Sequence, residues 1–195
     1  MTSHSQIFKS SAIIGGASVI SIVIGIAKVK VLAVLLGPAG VGLMGMYQSI
    51  IGMASTLVGC GLSNSGVRQL AASAGDAYTL SIVRRTLWLA NLILGAAGMG
   101  VLWALREPVA QWVFGDITQA REVGWLGLGL LLTLVAGSQT ALLQGLRRIG
   151  DLARVNIISA IFGAAAGILL VYWLGKGGVL WFVLVAPAIS ILVAG

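Results

Sequence analysis

Two lysines, Lys28 and Lys30, are the ionisable residues that lie well inside an apolar run of this sequence. A charged side chain within a membrane span costs at least ~2.5–3.5 kcal/mol, so a lysine that is kept there usually has a function. A fixed positive charge in a cavity attracts an anion such as a diphosphate. The pattern therefore predicts anion binding by one or both lysines.

The two lysines point in different directions on a helix. Positions two residues apart are separated by roughly 200° around the helix axis. Lys28 shares its side with Ser18 and Ser21, which favours Lys28 as the residue that faces a cavity. Lys30 lies about 10 Å before Gly37 at ~1.5 Å per residue, close enough for its side chain to extend toward lipid headgroups. Both lysines stay candidates.

Small and weakly polar residues recur at helical spacing in four apolar runs. Together such stripes could line a hydrated cavity, which would favour a transporter. Packing between helices is the alternative, and Gly163 and Gly167 form a GxxxG pair of the kind that packs helices in lipid. The candidate cavity-lining residues are Gln48, Ser55, Asn64, Thr140, Gln144 and Asn156.

Catalytic and metal-binding residues do not cluster in this sequence. The single histidine is His4 and the single cysteine is Cys60, so no nucleophile–base pair or metal-ligand spacing is present. We predict no enzyme activity, metal or cofactor. Proton or sodium coupling usually needs a carboxylate within a span. All acidic residues fall outside the apolar runs: Asp76, Glu107, Asp116, Glu122 and Asp151.

The composition is that of an integral membrane protein. Hydrophobic residues make up 58% of the 195 residues and charged residues only 9%, whereas soluble domains carry about 25% charged residues. The mean hydropathy is +1.05. The net charge of +7 would raise nucleic acid as a partner, but the basic residues cluster in loops without interleaved aromatic residues. Membrane lipids, not nucleic acids, are therefore the expected surroundings.

About six transmembrane helices are predicted in an all-α, polytopic fold that forms a single transmembrane domain, residues 1–195. The first span stops at Gly37-Pro38-Ala39-Gly40, a strong turn signal. The loop 106–120 is predicted to lie at the membrane interface. The predicted spans are residues 11–36, 41–62, 82–105, 123–143, 155–174 and 178–195.

Basic residues predict the orientation of these spans. With the amino terminus inside, seven lysines and arginines fall in cytoplasmic segments and three in outer ones. An excess of basic residues marks the cytoplasmic side. We therefore expect a cytoplasmic amino terminus and a cytoplasmic Arg147–Arg154 loop.

Two stretches resemble a known family, the O-antigen and enterobacterial-common-antigen flippases of the multidrug/oligosaccharidyl-lipid/polysaccharide exporter superfamily. The first runs from Leu36 as Leu-Gly-Pro-Ala-Gly-Val-Gly-Leu-Met-Gly-Met-Tyr-Gln-Ser and continues through Gly61-Leu-Ser-Asn-Ser-Gly-Val-Arg-Gln-Leu-Ala. The second runs from Leu143 as Leu-Gln-Gly-Leu-Arg-Arg-Ile-Gly-Asp-Leu-Ala. The resemblance follows the helix order over essentially the whole chain. Its Gly-Pro-Ala-Gly stretch is fairly specific.

The resemblance implies a V-shaped transporter of two six-helix lobes that works by alternating access. Its cargo would be an undecaprenyl-diphosphate oligosaccharide, moved from the inner to the outer leaflet of the bacterial inner membrane. Lys30 matches a basic residue expected seven residues before the Gly-Pro turn. The chain departs from the family in length, so we expect it to be the N-terminal lobe and to need a second lobe, from the same gene or another chain.

Three other readings stay open. The chain could be a drug or metabolite antiporter of the same superfamily, which a carboxylate within a span would favour. It could be a non-transporting membrane scaffold. It could also assemble with polysaccharide polymerase machinery.

Overall fold

The computed structural model describes residues 3–59, 61–73 and 75–194. These residues form seven α-helices and two short 3₁₀ turns, with no strand among them, so the predicted all-α polytopic class is confirmed. The helices are α1 (Ser3–Gly59), α2 (Leu62–Ala72), α3 (Ala77–Ala104), α4 (Arg106–Phe114), α5 (Ala120–Gly145), α6 (Ile149–Leu174) and α7 (Gly178–Ala194). The 3₁₀ turns are Ile117–Gln119 and Gly175–Gly177.

Helix α1 contains the first two predicted spans, separated by a break at Gly37. Gly37 has φ 70° and ψ −177°, which is not helical, and Pro38 follows it. The apolar part, Ser18–Gly59, has 42 residues, or about 63 Å of helix, enough for two crossings of a ~30 Å hydrocarbon core. Gly40 leaves no room for a side chain, since a Cβ there would lie 2.2 Å from Leu36 Cβ. The predicted turn is therefore a tight break between two halves.

Helices α3, α5 and α6 are also long and apolar enough to cross a membrane, and α7 is a shorter apolar helix of 17 residues. Three helices begin before the predicted spans that they contain: α3 begins at Ala77, α5 at Ala120 and α6 at Ile149. The predicted polar segment 63–81 contains α2, and the predicted interfacial loop contains α4. Hydropathy misses these polar first turns because helical hydrogen bonding continues beyond the apolar residues.

The turns between the helices gather at two ends of the bundle. At the Gly37 end, the Tyr47 ring contacts Phe114 of α4, with 5.9 Å between centroids. The Tyr47 hydroxyl donates to Gln119 Oε1 at 3.1 Å, and α1 also contacts the turn Gly175–Gly177. At the opposite, Arg147 end, α2 packs on α5, where a Cβ on Gly145 would lie 2.6 Å from Leu70 Cβ. Successive turns thus lie at alternate ends of the bundle, which is the arrangement of an antiparallel helical bundle.

The main buried cluster joins both halves of α1 to α5, α6 and α7. Leu32 comes from the first half of α1, Tyr47 from the second, Leu126 from α5, Val171 from α6 and Phe182 from α7. Because residues on both sides of Gly37 enter the same cluster, packing fixes how the two halves sit against the bundle.

The GxxxG pair packs α6 against α7, as the packing interpretation predicted. A Cβ on Gly163 would lie 3.6 Å from Ala186 Cα. A Cβ on Gly167 would lie only 2.1 Å from Phe182 Cδ2. Phe182 is 2% exposed, so its buried ring fills the space that the missing side chain of Gly167 leaves.

Candidate functional site

Lys28 and Lys30 lie on different sides of α1. Lys28 is half-buried, and its ammonium lies 5.0 Å from the centroid of the Phe182 ring in α7. Lys30 is exposed, and no ion pair to it is found among residues 3–59, 61–73 and 75–194. The two lysines thus have different surroundings, as expected for positions two residues apart on a helix.

The polar stripe of the first half of α1 faces a neighbouring helix. Ser18 and Ser21 line a groove of about 470 Å³ with Asn156 and Ala153 of α6. Lys28 lies further along the same side of α1 and contacts Phe182 of α7. The stripe that favoured Lys28 therefore lies within this bundle, and Asn156 belongs to that groove.

The polar stripe of the second half of α1 is exposed instead. Gln48, Gly52 and Thr56 are exposed and Ser55 is half-buried. The hydroxyls of Ser55 and Thr56 donate to the carbonyl of Gly52 at 3.0 and 2.9 Å. These two hydroxyls are therefore satisfied within their own helix and can face lipid, water or another bundle without losing their hydrogen bonds.

Ser55 and Asn64 meet in a groove of about 380 Å³ toward the Arg147 end, together with Thr133 and Gly137 of α5. Asn64 belongs to α2, whereas the sequence assigned it to the polar segment after the second span. Of the other cavity candidates, Thr140 is half-buried and donates to the Ala136 carbonyl at 3.1 Å, and Gln144 is exposed. Among the described residues, the six candidates lie on several surfaces of this bundle.

A groove that the sequence did not predict lies between α3 and α5, with a volume of about 600 Å³. Arg84 and Arg85 line it from α3, and Ser138 and Gln139 from α5. Gln139 Oε1 is buried and has no hydrogen-bond partner among the described residues. The adjacent arginines were visible in the sequence, but nothing there connected them to Gln139.

A second unpredicted pocket, the Tyr47 pocket, lies at the Gly37 end and has a volume of about 450 Å³. The sequence predicted that Glu122 lies outside the spans, one residue before the fourth; in the structure it lies in the first turn of α5, which begins at Ala120. Glu122 Oε2 is buried without a hydrogen-bond partner in the described part of the chain. The lining residues are Leu43, Tyr47, Gln119, Arg121, Glu122, Trp125, Gly177, Leu180 and Trp181.

The model of a family described as "Polysaccharide biosynthesis protein" matches residues 7–195, nearly the whole chain. The chain belongs to this family. The family membership and the long apolar helices together make this polysaccharide biosynthesis protein a multi-pass membrane protein.

Two curated relatives of this polysaccharide biosynthesis protein are each named "Lipid III flippase", one from Escherichia coli (strain K12) and one from Shigella flexneri. Each is 27% identical over 166 residues, which cover 84% of this chain and 38% of the relative. The chain thus spans well under half the length of these relatives. No solved structure matches it.

Proposed function

We propose that this chain forms one lobe of a flippase that moves an undecaprenyl-diphosphate-linked oligosaccharide across the bacterial inner membrane. The curated relatives named as flippases and the polysaccharide biosynthesis family support this function. The glycan would belong to O-antigen or a related surface polysaccharide. The chain would act as a transporter and not as an enzyme.

One observation carries the proposal: Lys30 lies in a helix that is long and apolar enough to cross a membrane, yet its side chain is exposed on the outside of this bundle. Charged residues in spans face a bundle interior or a water-filled cavity, because exposure to hydrocarbon is costly. The exposed side of Lys30 is not the interior of the described bundle. A hydrated cavity on that side, closed by further helices, would satisfy the ammonium and draw the diphosphate of the lipid carrier into it.

Lys28 has a different place in the proposal. Its ammonium over the Phe182 ring gains a cation–π contact, an interaction worth about 0.5–2 kcal/mol that grows with desolvation. This contact offsets part of the cost of burying the Lys28 ammonium inside the bundle, and it requires no ligand. We therefore assign diphosphate binding to Lys30 first, and to Lys28 the joining of α1 to α7.

The exposed stripe of Gln48, Gly52 and Thr56 supports a second lobe. Alternating access requires one bundle to rock against another around a shared site. A stripe whose hydroxyls are satisfied within its own helix can pass from water to a packed surface without breaking hydrogen bonds. The second lobe would supply the other wall of the cavity, whether from the same gene or from another chain.

The orientation in the proposal places the Arg147 end in the cytoplasm. The excess of lysine and arginine in the segments at that end supports a cytoplasmic amino terminus. The carrier would then enter from the inner leaflet and leave near the Gly37 end. Polysaccharide polymerase machinery is the proposed partner that receives the exported glycan.

Alanine replacement of each lysine tests the function. A two-lobe protein that contains this chain is expressed in a host that lacks its own flippase, and surface glycan is measured. We expect Lys30→Ala to abolish export and Lys30→Arg to retain part of it, because arginine keeps the charge. Lys28→Ala should instead lower the amount of folded protein, with export falling in proportion.

The control is the chain expressed alone, with its insertion confirmed by membrane fractionation. This single lobe should restore no surface glycan. Normal export by the Lys28→Ala/Lys30→Ala variant would refute the role of the lysines. Restored glycan from a demonstrably monomeric single lobe would refute the need for a second one.

A further inference from the structure

Glu122 is a half-buried acidic side chain that the proposed function leaves unused. Its Oε2 atom is shielded from solvent and has no hydrogen-bond partner in the described part of the chain, although it lines the Tyr47 pocket. A buried polar atom without a partner loses the hydrogen bonds that water would give it, and the loss is larger if the atom is charged. Because the Glu122 side chain also lines an open pocket, a ligand that carries hydrogen-bond donors would satisfy its carboxylate.

The remaining polar groups of the pocket define the ligand further. Gln119 Oε1 already accepts from the Tyr47 hydroxyl at 3.1 Å, so its amide group is oriented. Arg121 adds nitrogen donors at the same pocket. The pocket therefore offers both a hydrogen-bond acceptor and donors, which suits a neutral ligand with hydroxyl groups that both donate and accept.

Two tryptophans form an apolar wall of the pocket. The rings of Trp125 and Trp181 lie 6.4 Å apart between centroids and are inclined by 38°. They are 38% and 44% exposed, so part of each ring is free for contact. Tryptophans are also common at membrane interfaces, but that preference accounts for neither the unpartnered Glu122 oxygen nor the Tyr47–Gln119 pair.

The pocket therefore suits a ligand that forms hydrogen bonds at its edge and has an apolar face. Saccharide rings meet both requirements, since they carry hydroxyl groups at their edges and C–H groups on their faces. The volume of about 450 Å³ falls within the range of ~300–1,000 Å³ usual for small-ligand sites. A diphosphate would be repelled by Glu122. A metal cation is disfavoured by Arg121 and by the lack of any group of three metal-ligating side chains in the described residues.

We propose that the Tyr47 pocket binds a saccharide unit of the transported glycan, with Glu122 accepting hydrogen bonds from its hydroxyls and Trp125 and Trp181 contacting its ring face. This inference rests on the proposed function for the source of the saccharide. The pocket lies at the end assigned to the outer side, so it would hold the glycan after the diphosphate has crossed.

Chemical protection of the unmodified protein tests the site without any variant. The purified chain in lipid nanodiscs is treated with N-bromosuccinimide, and tryptophan oxidation is mapped by mass spectrometry with and without an oligosaccharide. The oligosaccharide is released from the surface polysaccharide of the flippase-positive parent of the host strain. We expect protection of Trp125 and Trp181 but not of Trp112, which is 89% exposed on α4. Equal oxidation with and without saturating oligosaccharide would overturn the site.

Variants then assign the contacts by fluorescence anisotropy of the end-labelled oligosaccharide. Glu122→Gln and Trp181→Ala should each weaken binding about tenfold or more, because each removes a main contact. The matched controls Glu107→Gln and Trp112→Ala make the same substitutions outside the pocket and should bind like the parent. Equal weakening by the control variants would show that no such pocket is being measured.

The same protection experiment with NaCl in place of oligosaccharide distinguishes a carbohydrate site from a cation site. Protection of both tryptophans by NaCl but not by choline chloride, without any effect of oligosaccharide, would replace the inference by a cation site at Glu122. Binding needs no transport, so its failure is distinct from failure of the export assay. Oligosaccharide binding without export would uphold the pocket and refute the proposed function.

Discussion

Replacing Gly167 by alanine should damage the packing of three helices at once. The Cβ of the new residue would lie 2.1 Å from Phe182 Cδ2 and 2.4 Å from Cε2. Ordinary carbon contacts are ~3.5–4.0 Å, so the Phe182 ring would have to move by roughly 1.5 Å. That ring is 2% exposed and lies under the Lys28 ammonium. A shift there therefore disturbs α6, α7 and α1 together.

The expected loss of stability follows from overpacking a buried ring. Adding a group to a well-packed core typically costs about 1–3 kcal/mol. The 2.1 Å approach puts the cost in the upper part of that range, about 2–3 kcal/mol. Alanine recovers roughly 0.5–1 kcal/mol over glycine inside a helix, which offsets part of the cost. We therefore expect Gly167→Ala to lower the free energy of unfolding by about 1–2.5 kcal/mol. Gly163→Ala is the matched control, because its Cβ would stand 3.6 Å from Ala186 Cα, an ordinary contact.

The assay is titration of the purified chain from mild detergent into dodecyl sulfate, with helicity followed by circular dichroism. Gly163→Ala should unfold at the parental midpoint or above it, and Gly167→Ala below it. The double variant Gly167→Ala/Phe182→Leu should show favourable coupling, because the smaller side chain gives room to the new methyl group. Equal stability of the two alanine variants, or no coupling with Phe182→Leu, would refute the reasoning.

Two further predictions concern the ends of the bundle. In a Cys60→Ser background, a cysteine at Ser3 should resist an impermeant thiol reagent on intact cells and one at Gly177 should react; the reverse pattern would contradict the orientation. The Thr79 hydroxyl and the Tyr78 N–H, both donating to the Asp76 carboxylate, lower the pKa of Asp76. The resulting stabilisation of the first turn of α3 is present above the usual pKa of 3.8 and is lost as pH falls through the lowered value. Amide exchange at Tyr78 and Thr79, corrected for intrinsic rates, should therefore accelerate at acid pH in the parent but not in Asp76→Ala.

Several features were determined by the sequence itself. Hydropathy fixed the membrane class, because about 20 apolar residues per span can be read without any tertiary information. Gly37-Pro38 marked the break in α1, since proline and a glycine at positive φ act locally. Gly163 and Gly167 marked a close helix contact for the same kind of local reason. The 200° separation of Lys28 and Lys30 followed from helix geometry alone.

Tertiary structure decided which of those helix faces meet a neighbour. The stripe carrying Lys28 looked like a cavity face, yet it packs against α6 and α7, while Lys30 remains exposed. The sequence could not separate the two cases, because serines and glycines suit a packed interface and a wet surface equally.

The Tyr47 pocket depended entirely on distant residues coming together. Tyr47 and Gln119 are 72 residues apart and form one hydrogen bond, and Trp181 joins them from α7. Glu122 gave no signal, because an acidic residue beside an apolar run is normally solvated. Its Oε2 atom is shielded because the antiparallel arrangement brings α1, α5 and α7 together at the Gly37 end. Periodicity within one helix contains no information about such an encounter, since it depends on how separate helices pack.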